Sequence, residues 1–203
     1  IFIDYWMWVC VVAGVPAAGK TTLCQRLIKE IDAVHVEGDL IVGNCDHRNA
    51  TYKQHRHLLL SHVQQLLQNG KNVIVDECMW LKAMRKPLVR MCAELRCGFG
   101  VVWLRVSGVE VAVGRDKQRE RQVGEETIKK MFEKAEQPEE CLLVDASFDV
   151  DTRGIVEYIM GLRVPEVFVE PIVTIMEESG KHCLNLELCK LAGELIKING
   201  FDP

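Results

Sequence analysis

The sequence lacks the features typical of membrane-embedded and disulfide-stabilised proteins. No apolar run is long enough to cross a bilayer, and neither a low-complexity segment nor an internal repeat is present. None of the nine cysteines belongs to a Cys-x-x-Cys pair, and several lie within apolar segments. We therefore expect reduced thiols, packed as small hydrophobic side chains in a cytoplasmic protein without a membrane partner.

Positive charge is not in excess either. The chain carries 25 Lys and Arg against 29 Asp and Glu residues, for a net charge of −4. This balance disfavours a surface coated uniformly with positive charge, but it is compatible with a local basic patch that binds nucleic acid. With 203 residues, of which 48% are hydrophobic, the chain can form one domain, alone or with a small appendage.

Strand-like and helix-like patterns alternate along the chain, which predicts a parallel sheet covered by helices on both faces. The opening stretch, IFIDYWMWVCVVAGV, has no basic leader and is interpreted as containing a buried strand. The predicted strands are 7–13, 33–37, 72–75, 100–106 and 142–145. The predicted helices are 20–31, 53–68, 82–95, 109–122, 125–136 and 152–162. Composition changes near residue 163, so we expect one domain over 1–163 and a small extension over 164–203, whose helix 186–198 packs on its own domain or on a partner.

The strongest motif follows the first predicted strand. Residues 14–21, GVPAAGKT, match G-x-x-x-x-G-K-[ST], in which backbone N–H groups and a helix N-terminus surround the phosphates of a nucleotide. Lys20 is expected to reach the β- and γ-phosphates, and the Thr21 hydroxyl to ligate Mg²⁺. The predicted nucleotide-binding residues are Gly14, Pro16, Ala17, Ala18, Gly19, Lys20, Thr21 and Thr22. Together with the alternating strands and helices, the motif predicts a P-loop NTPase fold, three-layer α/β/α with a five-stranded parallel sheet, that binds a nucleotide such as ATP with Mg²⁺.

Acidic residues follow two of the predicted strands, where a parallel sheet presents its ligand crevice. Asp76 suits the orientation of the water shell of Mg²⁺, so Thr21 and Asp76 form the predicted metal site. Asp39 is placed to accept a proton from an incoming hydroxyl group. Glu77 could assist either residue. The alternative is that these acids only cap helices or lie in solvated loops.

Two arginines lie four residues apart in the predicted helix 109–122. Arg115 and Arg119 would then project to one side, where their guanidinium groups could stabilise the charge of a phosphoryl group in transfer. The alternative is an exposed helix face on which both arginines pair with neighbouring acids. The histidines between residues 35 and 62 show no metal-ligand spacing, and we expect them to be solvated or hydrogen-bonded.

The chain resembles the L-seryl-tRNA(Sec) kinases over residues 7–162. The stretches that carry this resemblance are GVPAAGKTTL, VEGDLI, NVIVDECMWLKAMRKPL and GRDKQRERQVGEETIKKMFEKAEQPEE. The resemblance implies ATP-dependent phosphorylation of the seryl hydroxyl of Ser-tRNA(Sec) on the route to selenocysteine. It also implies that Asp39 lies near the acceptor hydroxyl, and that Arg115 and Arg119 belong to a lid over ATP, so that Asp39, Lys20, Arg115 and Arg119 are the predicted catalytic residues.

Two basic groups offer surfaces for tRNA phosphates. One is the helix face formed by Lys82, Arg85, Lys86 and Arg90, of which Arg85, Lys86 and Arg90 are the predicted tRNA contacts. The other consists of Arg48, Lys53 and Arg56. The alternative is that both are ordinary solvated helix faces.

Two other functions are compatible with the same motifs. An Elongator-associated regulatory ATPase would use nucleotide to control partner binding, and a small-metabolite kinase would phosphorylate a smaller hydroxyl compound. The acceptor pockets of this fold are built from loops that have no fixed motif. The partner expected from the resemblance is seryl-tRNA(Sec), bound in part through the extension 164–203, and both a monomer and a homodimer are compatible with the sequence.

Overall fold

A computed structural model describes residues 7–41 and 52–166, except for the side chains of residues 52 and 53. The chain divides into two compact units, Ile1–Val167 and Phe168–Pro203. All described residues belong to the first unit. The predicted extension therefore lies outside the described residues apart from 164–166, and its predicted helix 186–198 lies wholly outside them.

Five parallel strands form one sheet in the order β2-β3-β1-β4-β5, so the predicted fold class is confirmed. The strands are β1 (Trp8–Gly14), β2 (Val34–Glu37), β3 (Val73–Asp76), β4 (Gly98–Arg105) and β5 (Leu142–Asp145). The helices are α1 (Lys20–Leu27), α2 (Gly38–Ile41), α3 (Tyr52–Gln68), α4 (Lys82–Glu94), α5 (Val109–Asp116), α6 (Glu125–Lys134) and α7 (Arg153–Met160).

The central strand β1 is apolar throughout because both of its faces are covered. Its residues alternate between two hydrophobic clusters, as the period of two in a strand requires. Cys10 and Val12 pack with apolar residues of α1, α5, α6 and α7, whereas Val9 and Val11 pack with those of α3 and α4. Each fully buried Val or Leu contributes about 1.5–3 kcal/mol to these layers. The result is three layers, with β1 at the centre of the sheet.

Helix α4 contains Pro87 without ending there. Proline has no N–H group, so the carbonyl group of Ala83, four residues earlier, loses its helical donor. The guanidinium group of Arg56, from α3, donates hydrogen bonds to the carbonyl oxygens of Ala83 and Met84. Arg56 therefore supplies the missing donor, which explains how the predicted helix 82–95 continues past its proline.

Helix α5 corrects one prediction, because it ends at Asp116 and not at residue 122. The buried carboxylate of Asp116 accepts hydrogen bonds from the backbone N–H groups of Val123 and Gly124, at 3.0–3.1 Å. These bonds turn the chain back towards the start of α6. A further helix, the short α2, was not predicted. No helix of the described residues is long and apolar enough to span a membrane.

Candidate active site

A cavity of about 610 Å³ opens at the carboxyl-terminal edge of the sheet, lined by residues that follow all five strands. This is the edge at which open parallel sheets bind ligands. The cavity brings together most of the predicted site residues, which are Pro16, Ala17, Ala18, Gly19, Lys20, Thr21, Thr22, Asp39, Asp76, Arg115 and Arg119, together with Glu77. One surface therefore carries the phosphate loop, the strand-end acids and both arginines.

The phosphate loop begins at Gly14, where the backbone is too close to β4 for any side chain. Gly14 has a φ of 149°, and a Cβ atom there would lie 2.7 Å from the carbonyl oxygen of Leu104. Its N–H group donates to the carbonyl oxygen of Cys78 at 3.2 Å, which ties the loop to the end of β3. Gly14 thus lets the loop turn directly off the strand towards the cavity.

Lys20 lies at the start of α1 and is largely buried under the loop. Its Nζ donates to the carbonyl oxygens of Gly14 and Val15, at 3.3 and 3.0 Å. No side chain caps the N-terminus of α1. The first turn therefore presents its N–H groups and helix dipole to the cavity, an arrangement that suits phosphate groups.

The oxygen-bearing side chains near α1 fit a magnesium ion. The Thr21 hydroxyl and the carboxyl groups of Asp76 and Glu37 all line the cavity beside Lys20. Mg²⁺ prefers oxygen ligands of this kind and retains several of its waters. Asp76 is the last residue of β3, is buried, and lies with its Oδ2 3.3 Å from Nε2 of His35 on β2. His35 is thus hydrogen-bonded, as expected of the histidines.

The carboxyl group of Glu77 is packed inside the protein, and it does not extend into a solvated loop. Its Oε1 accepts a hydrogen bond from the backbone N–H of Cys78 at 2.9 Å, whereas its buried Oε2 has no hydrogen-bond partner among the described residues. Nε2 of His55 lies 3.7 Å from Oε2 and donates to the carbonyl oxygen of Gly38 at 3.0 Å. Burial raises the pKa of Glu77. The carboxyl group is thus held between α3 and the short helix α2.

Asp39 lies in α2 and lines the cavity together with both arginines. It is exposed and occupies the first turn of the helix, where the helix dipole favours a negative charge. Helix α2 begins at Gly38 directly after β2, so Asp39 is carried to the edge of the sheet by the end of that strand. The position leaves its carboxylate facing the cavity and open to a second substrate.

Both arginines line the cavity, but they do not lie on one helix as predicted. Arg115 lies on α5, and its guanidinium group donates to the carbonyl oxygens of Ala146 at 2.8 Å and Ala18 at 3.4 Å. Arg119 lies in the turn after α5, with Nη1 3.8 Å from Oδ1 of Asp116. The prediction that both share one helix face was wrong, because the bonds of Asp116 end the helix before Arg119.

A segment that the sequence did not single out completes the cavity. Phe148, Asp149 and Val150 follow β5 and line the cavity beside Arg26. The Phe148 ring is 79% exposed, and Asp149 forms a 2.7 Å ion pair with Arg26. In the sequence, the only indication of this segment was an aromatic residue, Phe148, three positions after the end of β5.

The predicted basic face of α4 is only partly present. Lys82, Lys86 and Arg90 are exposed, but Arg85 is buried. The Arg85 guanidinium group donates to the carbonyl oxygens of Met79 and Glu136 and lies 5.5 Å from the centroid of the Trp103 ring. The prediction that Arg85 contacts RNA is therefore wrong for this conformation, since its donors are engaged within the protein.

The second basic group lies mostly outside the described residues. Arg48 lies outside the described residues, and the side chain of Lys53 is also outside them. Arg56 donates to the carbonyl groups of α4, as described above. This group therefore provides no surface that the structure describes.

Residues 9–138 match the model of a protein family described as "AAA domain". The fold is also similar to those of several solved structures. A gluconokinase from Sinorhizobium meliloti 1021 superposes with a TM-score of 0.54 at 16% identity, over 77% of this chain and 88% of that one.

Two further structures are similar over comparable lengths. The Mycobacterium tuberculosis APS kinase CysC, in complex with AMPPNP and APS, has a TM-score of 0.54 and 17% identity, over 76% of this chain and 97% of that one. Kti12 from Chaetomium thermophilum, in complex with ADP-AlF3, has a TM-score of 0.54 and 21% identity, over 75% of this chain and 95% of that one. At these identities the similarity establishes a shared three-layer α/β fold.

Proposed function

The chain belongs to the AAA domain family, which its residues 9–138 match, and we propose that it transfers the γ-phosphoryl group of ATP to a hydroxyl group. One observation carries this proposal. The exposed carboxylate of Asp39 lines the same cavity as the phosphate loop and both arginines. A kinase needs a group beside the phosphates that receives the proton of the acceptor, and Asp39 is available for this role.

Each part of the cavity has a role in this reaction. The loop N–H groups and Lys20 hold the phosphates, and Arg115 and Arg119 neutralise the charge that spreads over the γ-phosphoryl oxygens. Mg²⁺, held through Thr21 and Asp76, supplies further charge neutralisation when bound. Asp39 orients the acceptor hydroxyl and accepts its proton as the oxygen attacks phosphorus.

The base of the nucleotide has a candidate site beside the segment that follows β5. The exposed ring of Phe148 offers a stacking surface, and the Arg26–Asp149 ion pair lies beside it. Asp39 lies on a different element, α2, and we assign it to the acceptor.

We propose that the acceptor is the seryl group of Ser-tRNA(Sec), giving O-phosphoseryl-tRNA(Sec). The support is the resemblance of four sequence stretches to the L-seryl-tRNA(Sec) kinases, two of which contain Asp39 and the arginine pair. The exposed Lys82, Lys86 and Arg90 would then contact tRNA phosphates.

A regulatory ATPase is the second candidate. It is favoured by the exposure of Asp39, because an open cavity admits water as readily as a hydroxyl substrate. In this case ATP would be hydrolysed and the nucleotide state would control a partner, as in an Elongator-associated protein. A small-metabolite kinase differs from the leading proposal only in the acceptor.

Labelled ATP distinguishes these functions. The protein is incubated with γ-labelled ATP and, in parallel, with seryl-tRNA(Sec), seryl-tRNA(Ser), uncharged tRNA, or no acceptor. We expect label on the seryl group with the first acceptor alone. Release of free phosphate without any labelled tRNA would contradict the kinase proposal and select the ATPase, and labelling of added small hydroxyl compounds alone would select the metabolite kinase.

Asp39→Asn tests the acceptor side separately from the nucleotide. We expect it to abolish transfer while the affinity for ATP is preserved. Asp32→Asn is the matched control, because Asp32 is an exposed acid just before β2 and outside the cavity lining. Retained transfer in Asp39→Asn would remove Asp39 from the mechanism.

A further inference from the structure

We propose that Cys24, His35 and Asp76 form a binding site for Zn²⁺, beneath the phosphate loop. The three residues come from α1, β2 and β3. Their ligand atoms, one sulfur, one ring nitrogen and one carboxylate oxygen, all lie within 4.8 Å of one another. This site is separate in chemistry from the magnesium site, which uses oxygen atoms alone.

The fold brings the three side chains to one face of the sheet. Strands β2 and β3 are neighbours in parallel register, with His35 beside Ile74 and Glu37 beside Asp76. His35 and Asp76 therefore point to the same side, where α1 covers the sheet and supplies Cys24. The backbone positions of the cluster are set by the strand register and by the docking of α1.

The donor set matches zinc better than magnesium. Cysteine, histidine and aspartate are the side chains that bind Zn²⁺ in proteins, with ligand–zinc distances of about 2.0–2.3 Å. Ligand atoms within 4.8 Å of one another need shifts of less than about 1 Å each to reach tetrahedral spacing. Mg²⁺ would leave the sulfur and nitrogen atoms unused, because it binds oxygen.

The surroundings are also suited to a cation. The side chain of Asp76 is 3% exposed and that of His35 is 13% exposed, while Cys24 is fully buried. A buried carboxylate gains from a positive partner. Asp76 also lines the cavity, so a cation can reach the site from there, displace the Cys24 thiol proton to solvent, and leave the fourth position to a water molecule.

Zinc at this site would have a consequence for turnover. It would bind the carboxylate of Asp76 that Mg²⁺ needs, and so inhibit the phosphoryl transfer. This consequence rests on the proposed function, whereas the binding of zinc does not. The two are therefore tested by different measurements.

Binding is tested with the full-length protein and two metal ions. Co²⁺ replaces Zn²⁺ in such sites, and a cobalt–thiolate bond gives a charge-transfer absorption band in the near ultraviolet. We expect the wild-type protein to show this band, at one Co²⁺ per chain, and to lose it when Zn²⁺ is added. Mg²⁺ at the same concentration as Co²⁺ should leave the band unchanged, because Mg²⁺ does not bind the sulfur and nitrogen atoms.

Two variants test the ligands, and a third serves as the control. Cys24→Ala should abolish the cobalt–thiolate band. His35→Gln can keep the hydrogen bond to Asp76 but should weaken Zn²⁺ binding by more than about tenfold, because even the loss of an outer-shell partner costs about tenfold. Cys78→Ala is the matched control, because Cys78 is the thiol that lines the cavity. Circular dichroism and thermal unfolding establish that each variant is folded.

The outcomes separate the proposal from its rivals. A band that survives Cys24→Ala and disappears in Cys78→Ala, or the absence of any band in folded wild-type protein, would overturn the zinc site. Zn²⁺ binding without any change in ATP turnover would leave the site standing and refute its inhibitory role.

Discussion

The carboxyl group of Glu77 lies against the Cα atom of Gly38, in the space that any larger side chain at residue 38 would occupy. Gly38 is the first residue of α2, and Asp39 follows it. The packing of Glu77 on Gly38 therefore joins the end of β3 to the helix turn that presents the proposed proton acceptor.

Gly38→Ala tests this contact. The added methyl group would overlap Oε2 of Glu77, so the carboxyl group must move, at a cost of about 1–3 kcal/mol in the free energy of unfolding. Most of this cost should disappear when Glu77 is also changed to Ala, because the two residues are in contact. Urea unfolding of both single variants and the double variant measures the coupling. Gly154→Ala is the control, since a Cβ atom there meets nothing within 4 Å, and an additive double variant would contradict the contact.

Glu77→Gln should make the stability of the protein less dependent on pH. Burial raises the pKa of Glu77 above its ordinary value of 4.5, with Asp39 acting in the same direction and His55 and Lys20 opposing it. Because the folded state then binds the proton more tightly than the unfolded state, the stability that this group contributes is present at low pH and is lost as pH rises. We expect the free energy of unfolding, measured in urea, to decline less for Glu77→Gln than for the wild type as the pH rises from the ordinary pKa of a glutamate, 4.5, to neutral. An equal decline in the variant and the wild type would refute this assignment.

Arg119→Ala and Arg115→Ala should differ in stability and agree in activity. Each removes a cation from the phosphoryl group, and loss of such an arginine lowers kcat by about 10³-fold. Arg115→Ala should also lower the free energy of unfolding by about 1–3 kcal/mol, because it leaves the carbonyl oxygens of Ala18 and Ala146 without their donor. Thermal unfolding and single-turnover transfer measure the two effects.

The control for Arg119 is Arg121→Ala. Arg121 is an exposed arginine of the same turn that does not line the cavity. It should leave kcat unchanged. A similar loss in both variants would mean that the turn contributes general charge and that Arg119 has no individual role.

Arg85→Met should destabilise the protein by about 3 kcal/mol, because the buried carbonyl oxygen of Met79 and the partly buried carbonyl oxygen of Glu136 lose a charged donor. By contrast, Lys86→Glu should change the free energy of unfolding by no more than about 0.5 kcal/mol, since Lys86 is exposed. If the exposed face of α4 binds tRNA, Lys86→Glu combined with Arg90→Glu will weaken tRNA binding and leave ATP affinity unchanged. Equal loss of ATP affinity in a filter-binding or fluorescence assay would assign the face a structural role.

The strands were predictable from the sequence to within two residues at each end, because continuous apolar runs mark strands buried on both faces. The ends of the helices were predicted less accurately. The periodic pattern of residues 109–122 predicts one helix, but the chain turns at Asp116, whose carboxylate binds N–H groups seven and eight residues later. A pattern read along one helix cannot include such a bond.

The sequence by itself determined the phosphate loop and the alternation of strands and helices, because both depend on residues that are adjacent or a few positions apart. The tertiary structure decided which charged side chains are buried and which are exposed. Arg85 and Lys86 are neighbours on one helix, yet Arg85 packs over Trp103 from β4 and Lys86 faces solvent. Cys24, His35 and Asp76 are up to 52 residues apart and meet only because β2 pairs with β3 under α1. Such neighbours are set by the packing of helices on a registered sheet, which no local pattern encodes.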